Sequence, residues 1–98
     1  MFTGLVSDVG VIIEAEGDPA TLRRYVIECA YPAQDIAIGA SIACAGICLT
    51  AVAITEHGGK TRFTVEAAAE TLGRTLAGTW RTGTRLNLER SLKVGDEL

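Results

Sequence analysis

Gly39-Ala40-Ser41-Ile42-Ala43-Cys44-Ala45-Gly46-Ile47-Cys48-Leu49-Thr50-Ala51-Val52-Ala53-Ile54 is almost wholly apolar and carries no charge. A segment with so much Ile, Val and Leu belongs inside, and the expectation is that it is covered on both faces. Its polar groups are small: the hydroxyls of Ser41 and Thr50 and the thiols of Cys44 and Cys48. Small donors in an apolar wall suit a pocket for a flat polar ligand. A buried strand whose hydroxyls bond to nearby backbone accounts for the same residues, and the pattern alone favours that plainer account.

Working outward, Gly39 opens the stretch and Ala45-Gly46 either folds it back or bulges it. Ala before Gly is a weaker hairpin signal than Asn, because Ala disfavours the positive φ required there. Ile47 to Thr55 then reads as a strand, Glu56-His57-Gly58-Gly59-Lys60 as a hairpin loop, and Thr61 to Glu66 as a strand with Phe63 and Val65 inward. On the amino-terminal side, Leu22 to Ala30 alternates, with Tyr25, Ile27 and Cys29 on one face and Val26, Glu28 and Ala30 on a wetter one. Tyr31-Pro32 ends that strand, and Ala33 to Ile36 suits a single helical turn. Glu14 to Thr21, containing Gly17-Asp18-Pro19, reads as a turn. Phe2 to Ile13 reads as one strand or two short ones, Gly4 and Gly10 marking a bulge or a close backbone approach.

Ala67 to Leu72 is the one helical segment, since Ala is the best helix former, and Gly73 limits its length. The loop Thr79 to Thr84 leads into Arg85 to Glu89, where Leu86 and Leu88 alternate with polar residues. Arg90 to Leu98 reads as an exit into a longer chain. Short strands at close spacing with one short helix predict an all-β fold, a small closed antiparallel barrel, which also removes exposed edges.

The 98 residues suffice for one domain, residues 1–98, with a single core. A net charge of −3 with no basic stripe argues against a nucleic-acid partner. The longest apolar run is too short to span a bilayer, and the amino terminus lacks a signal peptide's basic start. The expectation is a soluble, cytosolic chain. Three cysteines, Cys29, Cys44 and Cys48, are read as free thiols. With one histidine and no CxxC pair, metal is set aside. His57 at a hairpin tip is a poor catalytic candidate. Glu66 and Glu70 are four apart, which on a helix puts both carboxylates near one another; general acid/base work is one reading, and solvent-facing carboxylates are the favoured one.

Taken together, Met1-Phe2-Thr3-Gly4-Leu5-Val6, Gly39 to Ala43, Gly46-Ile47-Cys48-Leu49-Thr50, Glu70-Thr71-Leu72 and Asn87-Leu88-Glu89-Arg90-Ser91-Leu92 closely resemble the riboflavin synthase family. The resemblance spans the chain and matches the amino-terminal one of that family's two barrels. It implies a Greek-key barrel with a short helix near residues 67–73. It also implies riboflavin biosynthesis: two molecules of 6,7-dimethyl-8-ribityllumazine become riboflavin and 5-amino-6-ribitylaminopyrimidinedione. The ligands are then lumazine and flavin, with no metal or organic cofactor. The implied partner is another barrel, giving a homodimer for this chain alone and a trimer for a full-length one. Lumazine proteins of luminous bacteria share the barrel and hold a chromophore without turnover, which is the alternative.

Carried over by position, Gly4, Leu5 and Val6 form one edge of the ring pocket through their backbone. Cys48, Leu49 and Thr50 form the facing wall. Ser41, Cys48 and Thr50 are the catalytic candidates, for anion stabilisation or proton relay. Glu66, Ala67, Ala68, Ala69, Glu70 and Thr71 approach the ribityl chain and ring, with the Glu66 carboxylate as an acceptor for ribityl hydroxyls. Ala45 and the three alanines depart from the family pattern, where Asn-Gly and Met-Pro are common.

Overall fold

A computed structural model describes residues 8–18 and 20–90. Within them six strands close into an antiparallel barrel in the order β1-β2-β5-β4-β3-β6: β1 (Asp8–Asp18), β2 (Leu22–Cys29), β3 (Ser41–Cys44), β4 (Ile47–His57), β5 (Lys60–Ala68) and β6 (Arg85–Arg90). β3, β4 and β5 form a meander of two hairpins, while the β2–β5 and β3–β6 neighbours supply the Greek-key crossings. The expected closed barrel is the one observed.

Alternation builds the interior. Tyr25 and Ile27 of β2, Phe63 and Val65 of β5 and Leu88 of β6 are fully buried, and Leu86 is nearly so. Both hairpins of the meander turn in two residues with positive φ. The second uses Gly58-Gly59 (60° and 81°), which adopt it freely, and the first uses Ala45-Gly46 (50° and 82°). Ala45 is the single non-glycine residue with positive φ among those described, and its amide is held by the Asn87 carbonyl at 2.8 Å. The chain thus folds back at 45–46.

A helix α1 (Ala69–Arg74) and a 3-10 turn (Leu76–Thr79) cover one end of the barrel. The Tyr25 hydroxyl donates to the Ala77 carbonyl, and the Tyr25 and Trp80 rings meet edge-on at 5.3 Å. At the other end the Arg90 guanidinium lies 4.5 Å over the Tyr31 ring and pairs with Asp35, on the expected 3-10 turn Ala33–Asp35. Gly10 is a point of close approach: a Cβ there would sit 2.6 Å from Ile27 Cγ2 and 2.8 Å from Leu88 Cδ1.

Two segments correct the sequence-based expectation. Glu14 to Asp18 continues β1 after an irregularity between Ile12 and Glu14, because Glu14 to Asp18 pair with Leu22 to Val26. The turn is confined to the tip. Ala67 and Ala68 belong to β5, not to the helix, since they pair with Arg23 and Leu22. Eight ladder pairs outweigh the helical preference of two alanines. Gly73 lies inside α1 rather than ending it.

Candidate functional site

The two-residue turn at 45–46 fixes the register of β3 against β4: Ser41 faces Thr50, Ile42 faces Leu49, Ala43 faces Cys48 and Cys44 faces Ile47. Because side chains alternate, Ile42, Cys44 and Leu49 enter the core. Ser41, Cys48 and Thr50 are thereby on the outer face, with Cys48 and Thr50 exposed and Ser41 half-buried. Directly opposed residues have Cβ atoms about 4.5–5.5 Å apart, so Ser41 and Thr50 present a single polar patch. Among the described residues neither hydroxyl has a protein hydrogen-bond partner. The expectation of cover on both faces is therefore corrected: the core covers one, while on the other Cys48 and Thr50 are exposed, Ser41 is half-buried and the small Ala43 is buried, at 8% exposure. Val52, left unpaired by a register shift between Ala51 and Ala53, continues this face at 40% exposure.

Leu49 and Ala67 are core residues, 6% and 1% exposed, and offer an outside ligand only backbone. Glu66 is on the outer face of β5. Its Oε2 accepts from Arg24 Nη2 at 2.6 Å and Arg24 Nε at 3.2 Å. That bond, with the charge behind it, raises the Arg24 guanidinium above its ordinary range. Glu66 therefore does not join Glu70 on a helix; Glu70 pairs instead with Arg74, one turn along α1, at 3.2 Å. Ala68 is exposed, Ala69 and Thr71 are half-buried, and the Ala69 amide bonds to the Thr21 carbonyl at 2.8 Å, fixing where the helix begins. Gly4, Leu5 and Val6 lie outside the described residues.

Register ties these positions into one band. Glu16 faces Arg24, Arg24 faces Glu66, and Ser41 faces Thr50. Counting back one residue from the Ala51–Val65 pair sets Thr50 level with Glu66. The outer face thus carries a polar row across β1, β2, β5, β4 and β3, charged at one end and hydroxylic at the other. The sequence reading passed over Arg24 and Glu16. The parity that put Val26 and Glu28 on the wetter face extends to Arg24, and was the signal available.

The three thiols are all free and differ in exposure. Burial pushes the Cys44 thiol up to about 12, with smaller contributions from Cys48 and Cys29, and burial likewise raises Cys29. Cys48 is the exposed one. His57 is exposed at its hairpin, away from the row. A shallow cleft lined by Asp8, Glu28, Cys29 and Lys60 is already occupied by internal bonds. Asp8 accepts there from the amides of Val9 and Ala30, and Lys60 pairs with Glu28. No helix among the described residues is long and apolar enough to cross a membrane.

Residues 3–91 match the family model described as the lumazine binding domain. The whole chain is 46% identical to a riboflavin synthase of Brucella abortus and 40% identical to one of Mycobacterium tuberculosis, covering 48% and 47% of those proteins. A riboflavin synthase of Bacillus subtilis is 35% identical over 94% of the chain and 40% of its own length. The chain spans about half the length of the curated relatives it matches.

Proposed function

The chain belongs to the lumazine binding domain family, and from that premise we propose that it is one substrate-holding barrel of a riboflavin synthase. Its substrate is 6,7-dimethyl-8-ribityllumazine, and a four-carbon unit passes from one such molecule to another. The products are riboflavin and 5-amino-6-ribitylaminopyrimidinedione, and no cofactor enters. The observation that carries this proposal is the outer face of the β3–β4 hairpin, where Ser41, Thr50 and Cys48 place small polar groups beside the apolar Ala43, Cys48 and Thr50 being exposed. A flat ring can lie on such a surface, with hydroxyls as donors or acceptors at its edge.

A face open on one side holds one ring, so the reaction needs a second barrel to bring the other ring against it. In this proposal that barrel is a second copy of the chain or the other half of a longer one. The resemblance implies a substrate with an unusually acidic methyl group, so orientation does more than a strong base. Holding two rings in register can lower a barrier by up to about 7–11 kcal/mol. Ser41, Thr50 and Cys48 then steady the developing anion or relay its proton, and the backbone of Gly4, Leu5 and Val6 reads the ring edge. Ala68, Ala69, Glu70 and Thr71 border the ribityl chain. The named relatives are riboflavin synthases, which favours turnover over an antenna role.

Titration of the chain with riboflavin and with 6,7-dimethyl-8-ribityllumazine, followed by ligand fluorescence, tests the proposal. Saturable binding of both is expected, with slow riboflavin formation in the lumazine mixture if paired copies orient two rings. A folded chain that binds neither overturns it.

A further inference from the structure

On the outer faces of β2 and β5 every cation is ion-paired: Arg24 with Glu66, and both Arg62 and Lys60 with Glu28. The Arg24–Glu66 pair is the one that lies in the polar row, level with Thr50. Its geometry is lopsided. Arg24 Nε and Nη2 converge on a single oxygen, Oε2, and among the described residues nothing bonds Oε1. Beyond Arg24 the row ends in another carboxylate, Glu16.

This end of the row offers an acceptor and withholds a donor. A hydroxyl can donate to Oε1 while the guanidinium holds the carboxylate in place, and charge-assisted bonds of this kind are the stronger ones. A phosphate ester at the same point meets Glu66 and Glu16, and Arg24, the cation of the row, already faces Glu66. We propose that the Arg24–Glu66 pair is a specificity element for the uncharged polyol tail of the ligand, selecting free ribityl chains against their phosphate esters. The proposal rests on the outer face being a lumazine and flavin site. Within it, Glu66 is the contact and Arg24 is a positioning residue.

The experiment compares riboflavin with riboflavin 5′-phosphate, by quenching of flavin fluorescence, on the 98-residue chain and on Glu66→Gln and Arg24→Gln. The unaltered chain should prefer riboflavin by about tenfold, the scale of one bond to a charged group. Glu66→Gln releases Arg24. It should weaken riboflavin binding and strengthen that of the phosphate ester, so the preference narrows or inverts. Arg24→Gln should weaken riboflavin without helping the ester, and Arg24→Lys should recover part of the loss. Thermal unfolding of each variant shows whether it is folded; both positions are partly exposed, so shifts of a few degrees at most are expected. Equal effects of Glu66→Gln on both ligands, or no preference in the unaltered chain, overturn the specificity role while leaving the ligand site standing. Failure of the folded chain to bind either flavin overturns the site itself, and this role with it.

Discussion

The two faces of the β3–β4 hairpin share one backbone and obey opposite rules. Inside, Ile42, Cys44 and Leu49 are held by the whole barrel; outside, Cys48 and Thr50 are exposed, Ser41 is half-buried, and neither hydroxyl bonds to another described residue. The inner set makes the strand pair rigid, and rigidity lets the outer set present fixed groups without packing of its own. A site on a closed barrel's exterior is in this sense separable from the fold, and three substitutions probe the separation.

Ile42→Ala should have the largest effect. Ile42 is 1% exposed in the core cluster, and its truncation should destabilise the fold by about 2–5 kcal/mol, read as a lower urea midpoint. A loss under about 1 kcal/mol would mean that the hairpin is not anchored from inside.

The two cysteines sharpen the contrast chemically. The folded-state value for Cys44 is raised from 9 to about 12, so the folded chain holds that proton more tightly than the unfolded one. Stability from this group is complete below pH 9 and is lost as pH climbs toward 12, and Cys44→Ala should flatten that alkaline decline. In the folded chain at pH 8 a thiol reagent should modify Cys48 at once and Cys44 only with unfolding, as mass spectrometry would show. Simultaneous modification would break the distinction between faces.

Thr50→Val should change stability least, by under about 0.5 kcal/mol, since its side chain is exposed. Its effect belongs to the ligand: riboflavin affinity should fall about tenfold with loss of one hydrogen bond. Unchanged affinity would remove Thr50 from the site.

Much of the architecture was legible because it rests on local alternation. Tyr25, Ile27 and Cys29, then Phe63 and Val65, then Leu86 and Leu88 announce inward faces, and all are buried. The failures are non-local. Glu14 to Asp18 has no apolar face to announce a strand and becomes one only by pairing with Leu22 to Val26. Ala67-Ala68 prefers helix until β2 claims it. The hydroxyls of the central stretch were visible as residues, but which way they point depends on the parity set by the turn at Ala45-Gly46. The Arg24–Glu66 pair joins residues 42 apart in sequence and is a property of the register alone.

The two tight turns also order events in time. They let β3, β4 and β5 zip against one another as neighbours, whereas the last seam must bring residue 11 against residue 85. Closing distant chain segments is slow because entropy is lost before contacts form. The meander should therefore assemble early and the β1–β6 seam late, with Val9 and Val11 exchanging their amide protons sooner than Ile42 and Phe63. The surface proposed to hold the ligand would then take shape before the barrel shuts.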